Sequence, residues 1–442
     1  MSKIKTKAIH LSPSQLLILV FFTAILLGTC LLKLPIASYH YVRWIDALFT
    51  ATSAMTVTGL STIDSAKEYT LFGQFVIISL IQLGGLGIVS FALLIFIMLG
   101  KKIGLKERIL IQQSLNQTSL GGVIKLVRNL FLFSFMIEFI AMLFLSIRWI
   151  PEFGFWKGIF YSFFHSISAF NNAGFSLWSD NLIRYVGDPI VNIGITGLII
   201  LGGIGFTVMS DIWYKRSFRK LSLHSKIMII GTIVTNLLAM AFIFILEYHN
   251  PHTLGHLSTP NKLWASYFQA ITTRTAGFET MDLNNLEEPT ALLFLLLMFV
   301  GAGSASTGGG IKLTTFIVIV ISVITFIKGK QEIVLAKRTI ANSILLKSLA
   351  IFSIALLAIF LAVFVLCITE KAPFLKVLFE VISAFGTVGL TMGLTTKLTM
   401  IGKIIIVMIM FIGKLGPLTL AVSIAKSEQA SIRYPNEDIL TG

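Results

Sequence analysis

The sequence predicts an all-α integral membrane protein built from four tandem span, pore-loop, span repeats around one central pore. Three observations predict this fold class. Only 12% of the 442 residues are charged and 55% are hydrophobic, whereas a soluble domain carries roughly 25% charged residues. Long apolar runs recur along the chain. Between these runs lie four similar short apolar segments, each closed by a glycine.

The apolar runs match the bilayer, whose hydrocarbon core needs about 20 helical residues. They cover residues 16–32, 74–99, 130–147, 190–209, 227–246, 291–327, 349–368 and 404–423. The first run is not followed by a cleavage motif of small residues, which argues against a signal peptide. Cys30 and Cys367 lie inside such runs without CxxC or metal-type spacing, so we expect them to face lipid or fill the core.

The charges are distributed unevenly between alternate connecting segments. Segments 1–11, 100–129, 211–226, 328–347 and 424–442 hold 21 Lys/Arg and 6 Asp/Glu, whereas the other connections hold 11 Lys/Arg and 13 Asp/Glu. This positive-inside pattern predicts a multi-pass protein of the cell membrane with both termini in the cytoplasm. The basic side faces anionic lipid or docks a cytoplasmic partner, and nothing in the pattern favours nucleic acid.

The four short segments are internal repeats. They read "WIDALFTATSAMTVTGLST", "GIFYSFFHSISAFNNAGFSL", "LWASYFQAITTRTAGFET" and "KVLFEVISAFGTVGLTMG". Aligned on Gly59, Gly174, Gly277 and Gly389, all four have an aromatic residue ten positions upstream. Ser53, Ser168 and Ser383 stand six positions upstream, with Ile271 at the fourth position. The period is that of a whole span, loop, span unit.

A second set of glycines supports the alignment. The apolar run after each short segment contains "QLGGLGIV", "LGGIGFTV", "STGGGIKL" or "IGKLGPLT", at similar distances from the first glycine. The predicted organisation is a tail at 1–15, repeat 1 at 16–100, a cytoplasmic basic loop at 101–125, repeat 2 at 126–210, repeat 3 at 226–328 with a broken second span, repeat 4 at 344–424, and a tail at 425–442.

The short segments suit cation conduction. A helix of about ten residues reaches half-way across the core, and its C-terminal dipole favours a cation there. The residues that follow, such as Thr56, Val57 and Thr58, are expected to be extended, with unpaired carbonyl groups that replace the hydration shell of an alkali cation. Glycine closes each loop because it adopts positive φ without a Cβ clash.

Five motifs carry a resemblance to a known group: "TVTGL", "NNAGF", "RTAGF", "GTVGL" and "GAGSASTGGGIK". Through them the chain resembles the superfamily of Trk, Ktr and HKT potassium transporters over residues 16–425. It is most similar to the Ktr-type membrane subunits. The resemblance implies a potassium-channel-like pseudo-fourfold pore, with one filter glycine per repeat as the mark of potassium selectivity. The implied filter is formed by Thr56, Val57, Thr58, Gly59, Asn171, Asn172, Ala173, Gly174, Thr275, Ala276, Gly277, Gly386, Thr387, Val388 and Gly389.

The run 291–327 contains a glycine-rich interruption at residues 301–312. The resemblance identifies it as a flexible loop under the filter that obstructs the resting pore, and the flanking halves, 291–300 and 313–327, are each too short for a full crossing. A phosphate-binding loop does not fit, because there is no GK[ST] sequence. A helix-packing patch of small residues remains an alternative. The implied gate comprises Gly301, Gly303, Gly308, Gly309, Gly310, Lys312 and Lys414.

Four charged residues lie where a membrane makes charge costly. Lys312 follows the glycine-rich loop, and Lys414 resembles a basic residue that the family keeps near the pore; snorkelling to an interface is the alternative for Lys414. Glu138 is expected to bond between helices rather than to coordinate an ion. Arg274 is expected to point behind the filter and pair with a carboxylate such as Glu279 or Asp282.

The predicted function is potassium uptake by the ion-translocating subunit of a Ktr-type system. The alternative is a sodium-coupled secondary transporter of another cation or solute, although such transporters carry inverted repeats. An enzyme is not expected, and the three histidines of the external "HNPHTLGH" loop are not expected to bind a metal. No covalent cofactor is expected; potassium is the substrate, and sodium is a candidate activator.

The resemblance also implies partners. Ktr-type membrane subunits form homodimers and pair with a separate cytoplasmic nucleotide-binding regulatory ring of the KtrA type. We expect the basic loop 101–129 and the tail from Ala425 to provide the docking and dimer surfaces, within a shell of membrane lipids.

Overall fold

A computed structural model describes residues 13–87, 90, 123–416 and 437 of the chain. Its helices are α1 (Pro13–Leu32), α2 (Trp44–Met55), α3 (Ser65–Glu68), α4 (Leu71–Leu86), α5 (Val123–Phe153), α6 (Phe155–Phe170), α7 (Pro189–Ile204), α8 (Phe206–Lys215), α9 (Leu223–Glu247), α10 (Thr259–Thr272), α11 (Glu288–Phe299), α12 (Leu313–Ile327), α13 (Asn342–Thr369), α14 (Phe374–Gly386) and α15 (Met400–Leu415). A small antiparallel hairpin, β1 (Ile333–Leu335) and β2 (Arg338–Ile340), connects α12 to α13.

Within the described residues, four helices are long and apolar enough to cross a membrane: α1, α5, α9 and α13. Their outer faces expose large apolar side chains such as Leu27, Phe139, Leu237 and Phe360, as expected of surfaces in contact with lipid. The helices α4, α11 and α12 are apolar but shorter. The predicted runs 74–99 and 404–423 continue beyond residues 87 and 416, outside the described residues.

The order of helices recurs along the chain. Each long helix is followed by a short helix, α2, α6, α10 or α14, and then by a second apolar helix. The short helices have 12 to 16 residues rather than about ten, and their C-terminal halves are buried. Three of the second helices, α4, α7 and α15, begin at a residue that caps backbone N–H groups: Thr70, Asp188 and Thr399 respectively.

Glycines end or bend three of the second apolar helices. Gly87, Gly205 and Gly416 follow α4, α7 and α15 with φ of 85°, 103° and 85°. This positive φ departs from α-helical geometry, so the chain leaves the helix axis at each glycine. At Gly205 the two apolar helices α7 and α8 meet at 94°. The sequence predicted such a break only in the third repeat, so the interruption is more general than expected.

The helices form a closed cycle of contacts. Each second helix packs on the short helix of the following unit: α4 on α6, α7 on α10, α11 on α14, and α15 on α2. The last of these contacts joins the two ends of the described chain. There the Lys403 ammonium lies 2.6 Å from Asp46 Oδ1, with both side chains buried. Thr62 donates a second hydrogen bond to the same carboxylate.

Candidate functional site

Four loops with the same backbone geometry follow the short helices. Each loop contains a left-handed residue two positions before its glycine, and the glycine itself is left-handed. The paired φ values are 50° and 95° at Val57 and Gly59, 58° and 69° at Asn172 and Gly174, 65° and 74° at Thr275 and Gly277, and 49° and 95° at Thr387 and Gly389. The four units therefore repeat in backbone conformation as well as in sequence, although the side chain two positions before the glycine varies.

The four glycines lie side by side in a ring. A Cβ built on Gly59 would approach the Ala173 carbonyl oxygen to 2.6 Å and the Gly174 Cα to 3.1 Å. The same contact recurs in one direction around the ring, from Gly174 to the third loop, from Gly277 to the fourth, and from Gly389 to the first. The tightest contact is from Gly389 to the Thr58 carbonyl oxygen, at 2.1 Å. No side chain fits at these positions without moving a neighbouring backbone.

The loops are not simply extended, which corrects the expectation for Thr56, Val57 and Thr58. Thr56 has φ −84° and ψ −2° and continues the turn of α2, and the next residue is left-handed. The Thr58 N–H then returns to the Ser53 carbonyl oxygen at 2.8 Å. The loop is therefore tightly folded over the end of its helix, so part of its backbone is paired.

A hydroxyl group on each short helix supports its loop. Ser53 and Ser383 accept hydrogen bonds from the N–H groups of Gly59 and Gly389, at 3.0 Å and 3.1 Å. Ser168 donates to the Phe175 carbonyl oxygen at 2.8 Å. In the third unit Thr272, one position beyond Ile271, makes the matching bond to Phe278 at 2.8 Å. The apparent exception in the sequence is therefore a shift by one residue.

The glycine-rich segment forms a loop from residue 300 to 312 between α11 and α12, directly beside two of the four ring loops. The Gly309 N–H donates to Thr387 Oγ1 at 2.9 Å. A Cβ built on Gly308 would lie 2.2 Å from Thr275 Oγ1. Gly301 and Gly310 also lie close to backbone, because a Cβ on Gly301 would lie 2.5 Å from the Gly309 carbonyl oxygen and a Cβ on Gly310 would lie 3.1 Å from the Gly386 Cα.

Backbone hydrogen bonds join this loop to two second helices. The Gly303 N–H donates to the Gly203 carbonyl oxygen of α7 at 2.8 Å. The Gly310 N–H donates to the Gly413 carbonyl oxygen of α15 at 3.2 Å. These polar contacts hold the loop, whose buried apolar side chains are those of Val300, Ala302 and Ile311.

Two lysines hold the same loop by charge-assisted hydrogen bonds. Lys312 Nζ donates to the Gly308 carbonyl oxygen at 2.6 Å, within the loop itself. Lys414 Nζ, from α15, donates to the Thr307 carbonyl oxygen. Among the described residues neither ammonium forms an ion pair with a carboxylate. The two positive charges therefore stand beside the loop and are balanced only by carbonyl dipoles.

Glu138 lies in a hydrogen-bond network between helices, as predicted. Both of its oxygens accept from Gln82 Nε2 at 3.0 Å, and Oε1 also accepts from Asn171 Nδ2 at 3.3 Å. Asn171 in turn donates to Gln82 Oε1 at 2.6 Å. The Asn171 side chain is therefore directed away from the ring and braces α6 against α4 and α5.

Among the residues that the structure describes, no carboxylate pairs with Arg274, which corrects the expectation that it would meet Glu279 or Asp282. Its side chain is only 7% exposed and donates to Asn236 Oδ1 at 3.4 Å. Glu279 and Asp282 come after the ring loop in the chain, whereas the Arg274 guanidinium contacts Asn236 of α9. The sequence identified the residue as unusual but not its partner.

The comparison that decides the family is a match to a family model. The TrkH family, described as "Cation transport protein", matches residues 5–434. The chain belongs to the TrkH family. Its relatives include Ktr system potassium uptake protein B of Bacillus subtilis, 58% identical over 99% of this chain and 98% of the relative. The protein of the same name from Vibrio alginolyticus is 43% identical over 97% and 94%.

Two further similarities are informative. The potassium/sodium uptake protein NtpJ of Enterococcus hirae is 40% identical to this TrkH-family chain and covers 98% of both sequences. The crystal structure of the potassium transporter TrkH from Vibrio parahaemolyticus superposes with a TM-score of 0.74 at 18% identity. It covers 95% of this chain and 86% of that chain, and at this identity it shows a shared fold.

Sequence reasoning missed several residues of this TrkH-family site. Gly84, Gly202 and Gly413 allow the second helices to approach the ends of the short helices, since a Cβ would lie 1.8 or 1.9 Å from the Met55, Phe170 or Phe385 carbonyl oxygen. Each belongs to a glycine cluster that the sequence identified as a landmark without a role. Thr272 was hidden by its one-residue shift.

Proposed function

We propose that this chain takes up potassium ions across the cell membrane as the ion-translocating subunit of a Ktr-type system. The observation that carries the proposal is the ring of four left-handed glycines, with the carbonyl oxygens of Thr58, Ala173, Ala276 and Val388 beside it. Backbone carbonyls in such rings substitute for the hydration shell of a dehydrated alkali cation. Full-length relatives named potassium uptake proteins support the choice of ion.

In this proposal the four ring loops, residues 56–59, 171–174, 275–277 and 386–389, form the selectivity filter on one central pore. The cycle of helix contacts supports four repeats around that pore, with the boundaries 16–100, 126–210, 226–328 and 344–424. Lysine and arginine counts support an orientation with both termini in the cytoplasm. The filter is narrow because the backbone of each loop touches the next.

The glycine-rich loop, with Lys312 and Lys414, is proposed as the gate. It contacts Thr275 and Thr387 at the inner side of the ring, and hydrogen bonds link it to α7 and α15. The loop buries three apolar side chains, far fewer than the helices around it, so its local opening costs less free energy than opening of the core. The two ammonium groups beside it repel a cation while the gate is closed.

Partners and ions follow from the relatives' names and remain proposals. A Ktr system implies a second component, for which we propose a cytoplasmic nucleotide-binding ring acting on a homodimer of this chain. Of the proposed docking surfaces, residues 101–122 of the basic loop 101–129 and the tail from Ala425, apart from residue 437, lie outside the described residues. Sodium is proposed as an activator, because a relative is named a potassium/sodium uptake protein.

The experiment that tests the function is potassium uptake by cells that lack their own potassium systems. The wild-type chain should restore growth at low potassium and raise initial uptake. Gly389→Ala should abolish this effect, since its Cβ would lie 2.1 Å from the Thr58 carbonyl oxygen. Gly197→Ala is the matched control, because a Cβ there meets nothing within 4 Å.

The outcome of this test discriminates between the two functions. Uptake that requires sodium but not the glycine ring, or uptake of another solute, would favour the sodium-coupled secondary transporter. Wild-type uptake by Gly389→Ala at equal expression would contradict the assignment of the filter. The same cells with and without external sodium separate a strict coupling ion from an activator.

A further inference from the structure

A small cavity lies behind the third ring loop, among α7, α9, α10 and the glycine-rich loop. Its volume is about 20 Å³, and roughly 10–15 Å³ is enough for one water molecule. The lining is apolar on α7 and polar on α9 and at the ring loop. The residues that line it are Ile199, Ile200, Gly203, Ile204, Thr232, Asn236, Ile271, Arg274 and Ala302.

Arg274 brings a buried positive charge to this cavity, and no described carboxylate balances it. The side chain is 7% exposed, its Nε has no hydrogen-bond partner, and its contact with Asn236 Oδ1 is long at 3.4 Å. A buried charge is strongly destabilising unless it is paired and hydrogen-bonded. Buried polar groups without a protein partner call for an ordered water or ion. The guanidinium therefore requires an occupant in the cavity.

The other polar groups around the cavity also have hydrogens to donate. Thr232 is 7% exposed, and its Oγ1 has no partner. Asn236 uses its oxygen to accept from Arg274, which leaves its amide N–H groups as donors. No aspartate or glutamate lines the cavity. Three donor groups and one full positive charge, with no anionic group, form an environment that selects a negative ion.

We propose that this cavity binds one small monovalent anion of chloride size, held by Arg274, Thr232 and Asn236. The space beside the guanidinium has room for one small ion. A water molecule would satisfy the donors but would leave the guanidinium charge unbalanced in the membrane. A bound anion balances that charge next to a proposed cation path, and so lowers the repulsion on a passing potassium ion.

The same site is connected to the glycine-rich loop. Ala302 of that loop forms one wall of the cavity. The adjoining Gly303 donates to the carbonyl oxygen of Gly203, which forms another part of the wall. Movement of the loop therefore opens or reshapes the cavity, and anion occupancy and loop position influence each other. This coupling rests on the proposed gate, whereas the binding site itself does not.

The binding test uses purified full-length protein and radioactive chloride. We expect saturable binding of one chloride per chain, which is lost in Arg274→Gln. Thr232→Val keeps the shape of the side chain but removes a donor, and should raise the half-saturating chloride concentration about tenfold. Thr235→Val is the matched control on the same helix, because its hydroxyl bonds to the Gly231 carbonyl oxygen away from the cavity.

A second measurement locates the ion in the wild-type protein, so its result does not depend on whether the variants fold. Crystals of the wild-type protein grown in bromide should show one anomalous peak beside Arg274. Absence of saturable binding, or of that peak, would leave only water in the cavity and overturn the site. Equal chloride affinity for Thr232→Val and Thr235→Val would overturn the assigned donors.

The coupling is tested by flux into proteoliposomes with chloride or gluconate on both sides. We expect the wild type and Thr235→Val to take up potassium faster in chloride than in gluconate, because a bound anion lowers the repulsion on the passing ion. In Thr232→Val this dependence should shift to about tenfold higher chloride. Chloride binding without any anion dependence of the flux would overturn the coupling to the loop and leave the site intact.

Discussion

Lys414 provides the sharpest test of the proposed gate. Its ammonium donates to the Thr307 carbonyl oxygen and so ties α15 to the glycine-rich loop. A hydrogen bond to a charged group contributes about 1.5–3 kcal/mol, and each ~1.4 kcal/mol is a factor of ten in an equilibrium constant. Lys414→Met should therefore shift the ratio of closed to open gate by about 10- to 100-fold towards open.

The assay is potassium or rubidium flux into proteoliposomes that contain the chain alone, without any cytoplasmic partner. Basal flux should rise in Lys414→Met, whereas Lys414→Arg, which keeps the charge and the donors, should stay near the wild type. Flux per folded molecule is the relevant quantity, so each rate is divided by the amount of protein recovered in monodisperse form. The other loop contacts, such as the hydrogen bond from Gly303 to Gly203 at 2.8 Å, remain in place and limit the increase in flux.

Lys312→Met is the matched control. It also removes a positive charge beside the ring, but Lys312 donates to Gly308 within the same loop and ties no helix to it. If the bond from α15 keeps the gate closed, Lys414→Met should raise the flux more than Lys312→Met. Equal increases would mean that charge repulsion alone controls the flux. Wild-type flux in Lys414→Met would refute the gate role and leave the snorkelling alternative.

Three further predictions concern the ring, the loop and the network behind them. Gly59→Ser should lower the ratio of potassium to sodium uptake, because its Cβ would lie 2.6 Å from the Ala173 carbonyl oxygen; an unchanged ratio would contradict the first-repeat alignment. Deletion of Gly303–Gly308 should raise flux at normal membrane expression, and poor expression without flux would support a packing patch instead. Glu138→Gln places an amide donor opposite the amide donor of Gln82. We expect the free energy of unfolding to fall by about 1–3 kcal/mol, which is measured as a lower Tm in detergent. An unchanged Tm would mean that the network contributes little stability.

The sequence identified the ring glycines because their positions tolerate almost no other residue. A left-handed φ and a neighbouring backbone within 2.1–2.9 Å of any Cβ leave glycine as the fitting choice, so the pattern is visible in one chain. The left-handed residue two positions earlier was not predictable. Val57, Asn172 and Thr275 share that conformation without sharing a side-chain type, since the surrounding fold imposes it.

The environments of the buried charges were only partly predictable. Glu138 was correctly assigned to contacts between helices, because a lone acid in an apolar run has few other satisfied states. The predicted partner of Arg274 was wrong, because the side chain contacts Asn236 and not the nearest carboxylates in sequence. Its actual partner, Asn236, is 38 residues away in the chain. Packing brings the two side chains together, and their separation in sequence does not predict that contact.

The cycle of contacts that closes between α15 and α2 has a consequence for how such a protein evolves. In an assembly of four identical subunits, one altered codon changes all four quadrants of the ring at once. Here each quadrant is encoded separately, so a substitution alters one quarter of the ring and leaves three unchanged. Two positions before the glycines the four quadrants carry three different residue types, at Val57, Asn172, Thr275 and Thr387. Selection can therefore adjust such a ring in small, independent steps.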